Sequence, residues 1–495
     1  MDRNRSQLTL LLLLFVGFAI VYLFNTAGWL MHDDEGTDFY EVWQLQRGRQ
    51  PGVDFLAEQQ PLFLLVGSTI VDLAGRSPLH LRLLAAIQVL LGALALSLAV
   101  HRRWGRAVAI VTLGFTLGSG LVYEQARLFR PDPMMLAWEM AGLGAALLAA
   151  KANRPVLWAL AGLCYGMAIL WKLFGALPVV GLAFYFLELL WRNRTKWTKI
   201  LVAGLCFALP FLLVSLGVSA LLYGKLGFYY LEPFQQHVGL GGETGFLARL
   251  AKTVATYVYF FVVNAIFLFI LPLWCLNSPH RWRDRAEVRL LLWQLPSPIV
   301  FLTMTRPIYP RYLLYLTPVL AIVLGWQLQI ACARISAERP TFSRWVTPIM
   351  LLAVALAIAI TRPSPPQLLL RRESDTLHLA AYVATRTQPQ DKVLSDYAGI
   401  NFFADRDSIY EASIIAGGRI RGQVITGELL IARIEQDEVN TILIHIAGGD
   451  PPPYHLIELI DYDSFRRYVT DHFDLLTIFD RAGQKIEVYQ RRQET

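Results

Sequence analysis

Charge is scarce in this chain. Asp, Glu, Lys and Arg make up 17% of its 495 residues, against about 25% in an ordinary soluble domain, while 55% of the residues are hydrophobic and the mean hydropathy is +0.43. That balance excludes a soluble enzyme with a single core. Cysteine is scarce as well: Cys164, Cys206, Cys275 and Cys332 all fall inside apolar stretches, with no two close together. A local disulfide framework and a Cys-based metal clip are thereby excluded. Internal repeats and low-complexity tracts are also missing.

The charges that are present are unevenly spread. The first 372 residues hold 33 basic and 18 acidic groups, and residues 373–495 hold 12 and 20. The net +7 is not a nucleic-acid footprint, because its excess sits in short loops between apolar runs and the aromatics are scattered along those runs. Membrane insertion explains it. The N-terminus, Asp2-Arg3-Asn4-Arg5 followed by Leu8 to Phe24, has the outline of a signal peptide, but its run is of membrane length and no small-x-small cleavage pattern follows. We read it as an uncleaved first span.

A bilayer core takes about 20 apolar residues per helix. Runs near that length fall at 8–24, 81–100, 107–123, 133–150, 155–171, 174–190, 200–222, 253–276, 290–305, 312–333 and 346–361, eleven in all. The run Pro61 to Ala74 is too short, and predicts an interfacial or re-entrant helix. Lys and Arg near span ends stay on the cytoplasmic side. With Pro61 to Ala74 left out, Arg3/Arg5, Arg102/Arg103/Arg106, Lys151/Arg154, Arg192 to Lys199, Arg281 to Arg289 and Arg334/Arg339/Arg344 all fall on one side. Counting it as a span would put every later cluster opposite the first.

The expected architecture is therefore a polytopic α-helical membrane protein of about eleven transmembrane helices with a C-terminal soluble α/β domain, in a plasma (inner) membrane. The N-terminus is cytoplasmic and the C-terminal domain extracytoplasmic. Residues 1–361 form the membrane domain with its outer loop 25–80, the Pro-rich stretch 362–371 is a linker, and 372–495 form the outer domain. In the last, Leu377 to Thr385, 424–436 and Phe465 to His472 have helical spacing. Lys392 to Ser395 and Thr441 to Ile446 read as strands, and Leu475 to Phe479 with Lys485 to Tyr489 as a closing hairpin. None of these strands is followed by a Gly-rich phosphate loop.

Function is sought on the outward segments. The first opens with His32-Asp33-Asp34-Glu35-Gly36 and continues through Tyr40, Trp43, Gln44, Gly48, Pro51, Asp54 and Phe55 to the short helix. Adjacent carboxylates at a membrane surface raise one another's pKa unless a cation or donor is near. Exposed charge runs are usually inert, but this loop is long and patterned, as functional loops are.

The Asp-Glu after a first span, the aromatic, the Asp-Phe and the Pro-Leu opening an interfacial helix resemble the GT-C glycosyltransferases. The branch resembled is that of the dolichyl-phosphate-mannose protein mannosyltransferases and lipid A aminoarabinose transferases. Arg130-Pro131-Asp132-Pro133, Gly166 to Lys172, and Arg306 to Arg311 with Tyr312-Leu313-Leu314 resemble later stretches of that family, in order. The resemblance covers most of residues 1–333. One departure is Gln59-Gln60-Pro61, where the family often has Lys before the Pro.

What the resemblance implies is an inverting glycosyltransferase that moves a sugar from a polyprenyl-phosphate-linked donor to a protein, lipid or glycan acceptor on the outer face of the cell envelope. Asp34 is then the base and Asp132 the second catalytic carboxylate. Arg306, Arg311 and Lys172 hold the donor phosphate, the more so because Gln60 replaces the usual lysine. Asp33, Glu35, Arg130, Tyr309 and Gln60 support them. No certain cofactor is implied; a divalent cation would need the carrier's phosphate oxygens to complete its shell. The bland alternatives are a local Arg130–Asp132 ion pair and a snorkelling Lys172. His237 and Glu243, in a Gly-rich outward loop, could touch donor or acceptor, or belong to a loop that shields the site. A transporter or lipid flippase is a competing function, but would place its ionisable groups at mid-membrane in paired halves. A non-catalytic scaffold would make the carboxylates replaceable.

Overall fold

The computed structural model describes residues 2–24, 26, 33–152, 154–192, 194–226, 246–264, 267–268, 270–276, 285–302, 310–338, 352, 375–447, 455–481 and 484–492. The chain folds as two compact units: residues 1–26, 82–221 and 244–370 form the first, and 27–81, 222–243 and 371–495 the second.

Most described helices of the first three hundred residues follow the apolar runs. In chain order they begin α1 (Asp2–Leu23), α2 (Asp33–Gln46), α3 (Pro61–Ala74), α4 (Pro78–Trp104), α5 (Arg106–Gly118), α6 (Gly120–Ala126), α7 (Pro131–Ala152) and α8 (Pro155–Trp171). Helices α2, α3 and the first turn of α4 fall in the second unit and the others in the first, which continues through Leu177–Arg192 and Trp197–Leu212 to Leu316–Glu338. Five described helices are long and apolar enough to cross a membrane: Pro78–Trp104, Pro131–Ala152, Leu173–Arg192, Trp197–Leu226 and Leu316–Ala337. The expected span 107–123 is broken. Helices α5 and α6 meet at 62° around Gly118-Ser119-Gly120, where Ser119 leaves helical geometry and its hydroxyl accepts the Val122 N–H at 3.5 Å to start the second piece. The run 346–361 lies outside the described residues except for position 352.

Close helix packing in this unit rests on small residues. A Cβ on Gly92 of α4 would stand 2.7 Å from the Ala137 Cα of α7, so only glycine lets these backbones approach. The C-terminal end of α1 is held by buried cations, with Arg127 Nη2 donating to the Phe24 carbonyl at 3.2 Å and Arg82 Nη1 to that of Thr26 at 2.9 Å. A positive charge there complements the helix dipole.

In the second unit, α3 starts at Pro61, whose missing N–H costs nothing in the first turn, and stops at Gly75 with φ +77°. Its buried residues Pro61, Phe63, Leu64, Gly67, Ser68 and Val71 lie along one face. Helix α2 packs on α3 and on the C-terminal part of the chain. That part is a four-stranded sheet, β1 (Val393–Ser395), β2 (Thr441–Ala447), β3 (Phe473–Arg481) and β4 (Gln484–Arg491), in the order β1-β2-β4-β3. Strands β1 and β2 are parallel and the other pairs antiparallel. Alternate residues feed two cores, Leu394, Ile442, Ile444 and Tyr489 on one face and Val393, Leu443, Ile486 and Val488 on the other. Helix Ala398–Ala404 presents Phe402 and Phe403 to α2: Phe39 stacks on Phe402 with centroids 5.4 Å apart, and Trp43 meets the same ring edge-on at 6.1 Å. Around them Gln44 Nε2 donates to Asp407 at 2.9 Å, Arg47 pairs with the same carboxylate, and the Ser408 N–H donates to the Tyr40 hydroxyl at 2.9 Å.

Candidate active site

In the first unit the structure gathers charges far apart in sequence. Asp132 sits in the first turn of α7, between two prolines that fix the start of the helix, where a carboxylate is favoured by the free N–H groups. Its side chain is completely buried. Lys172 Nζ lies 2.7 Å from Asp132 Oδ2, and Arg130 Nε lies 3.9 Å from the same oxygen. Lys172 reaches it because α8 ends there: the residue is extended, caps the helix through its N–H to the Ala168 carbonyl at 3.1 Å, and is followed by the turn Leu173–Ala176.

A second segment closes on this pair. In the turn Pro310–Leu313, before the helix Leu316–Glu338, Tyr312 stacks on Phe174 at 4.0 Å and 17°, and the Arg311 guanidinium lies 5.7 Å from the Tyr312 ring. Lys172 Nζ is 5.4 Å from the same ring. Arg311 is near enough to act electrostatically on both Asp132 and Lys172. Three cations thus converge on one buried carboxylate beside two aromatic faces. Grouping them in a desolvated place is costly unless an anion shares it, and a phosphate matches guanidinium donors two at a time. Two turns further along α7, Glu139 is fully buried with no hydrogen-bond partner for either carboxylate oxygen among the described residues. Sequence reasoning missed it, because one acid within an apolar run carries no signal of what it faces.

The second unit holds the acidic motif, on a helix. The motif Asp33-Asp34-Glu35 begins α2, where carboxylates suit the helix N-terminus; Asp34 is half-buried and Glu35 buried. Asp38 and Glu41 continue from Asp34 at helical spacing and are also buried. The signal for them was the i, i+4, i+7 spacing from Asp34. Burial pushes the Glu41 carboxyl well above the usual carboxylate range, with the Asp38 charge acting in the same direction, while the Glu58 N–H donates to its Oε1 at 3.1 Å. Glu58 in turn receives Arg419 at 3.2 Å. Gln60 is the N-cap of α3 and its carbonyl accepts the Leu64 N–H at 3.2 Å, but its side chain makes no cap bond; its Oε1 accepts from the Tyr223 hydroxyl at 2.9 Å. Of Asp33 only the backbone is described, and Arg306, Tyr309, His237 and Glu243 lie outside the described residues. Among the described residues no group of three or more His, Cys, Asp or Glu side chains could hold a metal ion.

The fold is similar to those of solved GT-C glycosyltransferases. Residues 58–215, which carry Gln60, Arg130, Asp132 and Lys172, match the family model described as dolichyl-phosphate-mannose-protein mannosyltransferase. The fold is similar to that of ArnT from Cupriavidus metallidurans bound to undecaprenyl phosphate, with a TM-score of 0.66, 15% identity, and 96% of this chain and 97% of that one covered. It is also similar to the apo oligosaccharyltransferase of Archaeoglobus fulgidus, with a TM-score of 0.57, 15% identity, and coverage of 98% and 74%. A comparison with curated protein sequences gives no match.

Proposed function

We propose that the chain is an inverting glycosyltransferase that uses a polyprenyl-phosphate-linked sugar and acts on the outer face of the membrane, with about eleven spans and a cytoplasmic N-terminus. The observation that carries this reading is the convergence of Lys172, Arg130 and Arg311 on Asp132. The cations hold the donor phosphate; Asp132, already paired with Lys172, keeps them in place. Arg306, five positions before Arg311 in the sequence, is the remaining donor-phosphate residue of this proposal. In the transfer the acceptor hydroxyl oxygen attacks the anomeric carbon, the bond from that carbon to the phosphate oxygen breaks, and the polyprenyl phosphate leaves with the bonding pair. Asp34 takes the hydroxyl proton.

The lipid phosphate bound to ArnT supports the donor class, and the mannosyltransferase family model supports glycosyl transfer. The outer face is supported by the basic clusters, which share one side of the topology. The test is binding of undecaprenyl phosphate to the purified protein in lipid nanodiscs. Saturable binding that falls as salt rises is expected; binding no tighter for the phosphate than for the uncharged polyprenol would overturn the phosphate site.

A further inference from the structure

In the second unit one ring of the sheet domain packs directly against the N-terminal turns of the acidic helix. Gly36 lies two residues after Asp34, in the first turns of α2. A Cβ placed on it would overlap the ring of Tyr397 and stand 2.5 Å from the ring's hydroxyl oxygen. On the ring's other side a Cβ on Gly399 would stand 2.6 Å from Cζ and 2.8 Å from Cε1. Tyr397 is therefore clamped between two backbones that only glycines bring so near.

The ring is also fixed from behind. Tyr397 lies two residues past the end of β1 and immediately precedes the helix Ala398–Ala404; its N–H donates to Ser395 Oγ at 3.1 Å, and that hydroxyl donates back to the Tyr397 carbonyl at 3.2 Å. The intervening Asp396 is buried, accepts the His445 N–H of β2 at 3.2 Å, and pairs with the His445 ring. A continuous run of ordered contacts thus leads from the middle of the sheet, through Tyr397, to the helical turn that carries Asp34.

From this geometry we infer that Tyr397 is a positioning residue: the C-terminal sheet domain sets the orientation of the Asp34 turn, and so takes part in catalysis. The inference rests on Asp34 being the base. Ordinary contact to a Cβ needs 3.4–4 Å, so Gly36→Ala must displace the ring or the turn by about 1 Å, and a displacement of that size costs about 10²-fold in rate where a catalytic group is concerned. Alanine is otherwise the better helix former, so its effect on α2 alone is favourable. Removing the ring makes room for the new methyl group.

The experiment compares wild type, Gly36→Ala, Tyr397→Ala and the double variant as full chains in nanodiscs, measuring kcat, donor KM and melting temperature, with Asp34→Asn as a control. Gly36→Ala should lose about 10- to 100-fold in kcat with donor KM little changed, and the double variant should be more active than Gly36→Ala alone, since coupled residues do not behave additively. A normal kcat for Gly36→Ala, strictly multiplicative effects, or a loss of kcat that merely follows melting temperature would overturn the wedge. Normal turnover by Asp34→Asn would overturn the base assignment and this role with it. The two failures are distinct, because in the first Asp34→Asn is inactive.

Discussion

Replacing Arg311 with Ala separates phosphate holding from structural support, because Arg311 and Lys172 stand differently toward Asp132. Lys172 makes a direct 2.7 Å contact with the buried carboxylate, whereas Arg311 acts on it electrostatically and lies 5.7 Å from the Tyr312 ring. The cation–π contact contributes about 0.5–1 kcal/mol at a partly exposed position, so the fold should tolerate its loss. A charge-assisted hydrogen bond to the donor phosphate contributes about 1.5–3 kcal/mol, which is about 10- to 100-fold in affinity. Arg311→Ala should therefore weaken undecaprenyl-phosphate binding by that factor and lower the melting temperature by only a few degrees. Lysine at 311 should recover part of the binding, since a point charge cannot make the two-pronged contact. The assay is a titration of nanodisc-embedded protein with the lipid, run beside thermal unfolding. Wild-type affinity in the alanine variant, or a loss in affinity that tracks unfolding, would refute the placement of the phosphate among these cations.

The other expectations follow from the same contacts. Lys172→Met should do more structural damage, about 3–5 kcal/mol, because it takes the nearest partner from a buried carboxylate; a melting temperature equal to that of Arg311→Ala would contradict this. Glu41, with its pKa raised by burial, favours the folded state fully below the ordinary carboxylate range near about pH 4.3, and that contribution is lost as pH rises through the raised folded value. Glu41→Gln should flatten the fall in melting temperature between mildly acidic and alkaline pH, and an unchanged profile would count against it. Deleting residues 375–495 uncovers Phe39 and Trp43, which are 0% and 2% exposed, at about 1.5–3 kcal/mol each. Limited proteolysis should then cut within residues 33–58; full resistance there would show that this segment stands without the C-terminal sheet domain.

Much of this architecture is legible in the sequence where apolar runs and helix stops coincide. Pro61 to Ala74 is the short helix its length predicts, α8 ends at the lysine that closes its apolar run, and the strands and final hairpin lie within a few residues of their alternating segments. Helix α2 was hidden. Its sequence DDEGTDFYEVWQLQ has no apolar run, because its buried face is built of scattered aromatics that find partners some 360 residues later in Phe402 and Asp407. The order of Asp132 and Lys172 along the chain was readable, but their ion pair was not, since nothing local records that the ends of α7 and α8 meet. The break at Ser119 escaped for the opposite reason: hydropathy runs through Gly118-Ser119-Gly120 without interruption, and only the backbone freedom of the glycines and the serine cap mark the bend.

The most direct test of the central claim is single-turnover transfer from a polyprenyl-phosphate-linked sugar by the purified protein, followed as release of polyprenyl phosphate, for wild type and Asp34→Asn. General-base catalysis predicts release by the wild type and a rate lower by about two to four orders of magnitude in the variant, with donor binding retained. Equal rates for the two proteins, or donor binding by the wild type with no transfer to any hydroxyl acceptor, would contradict it.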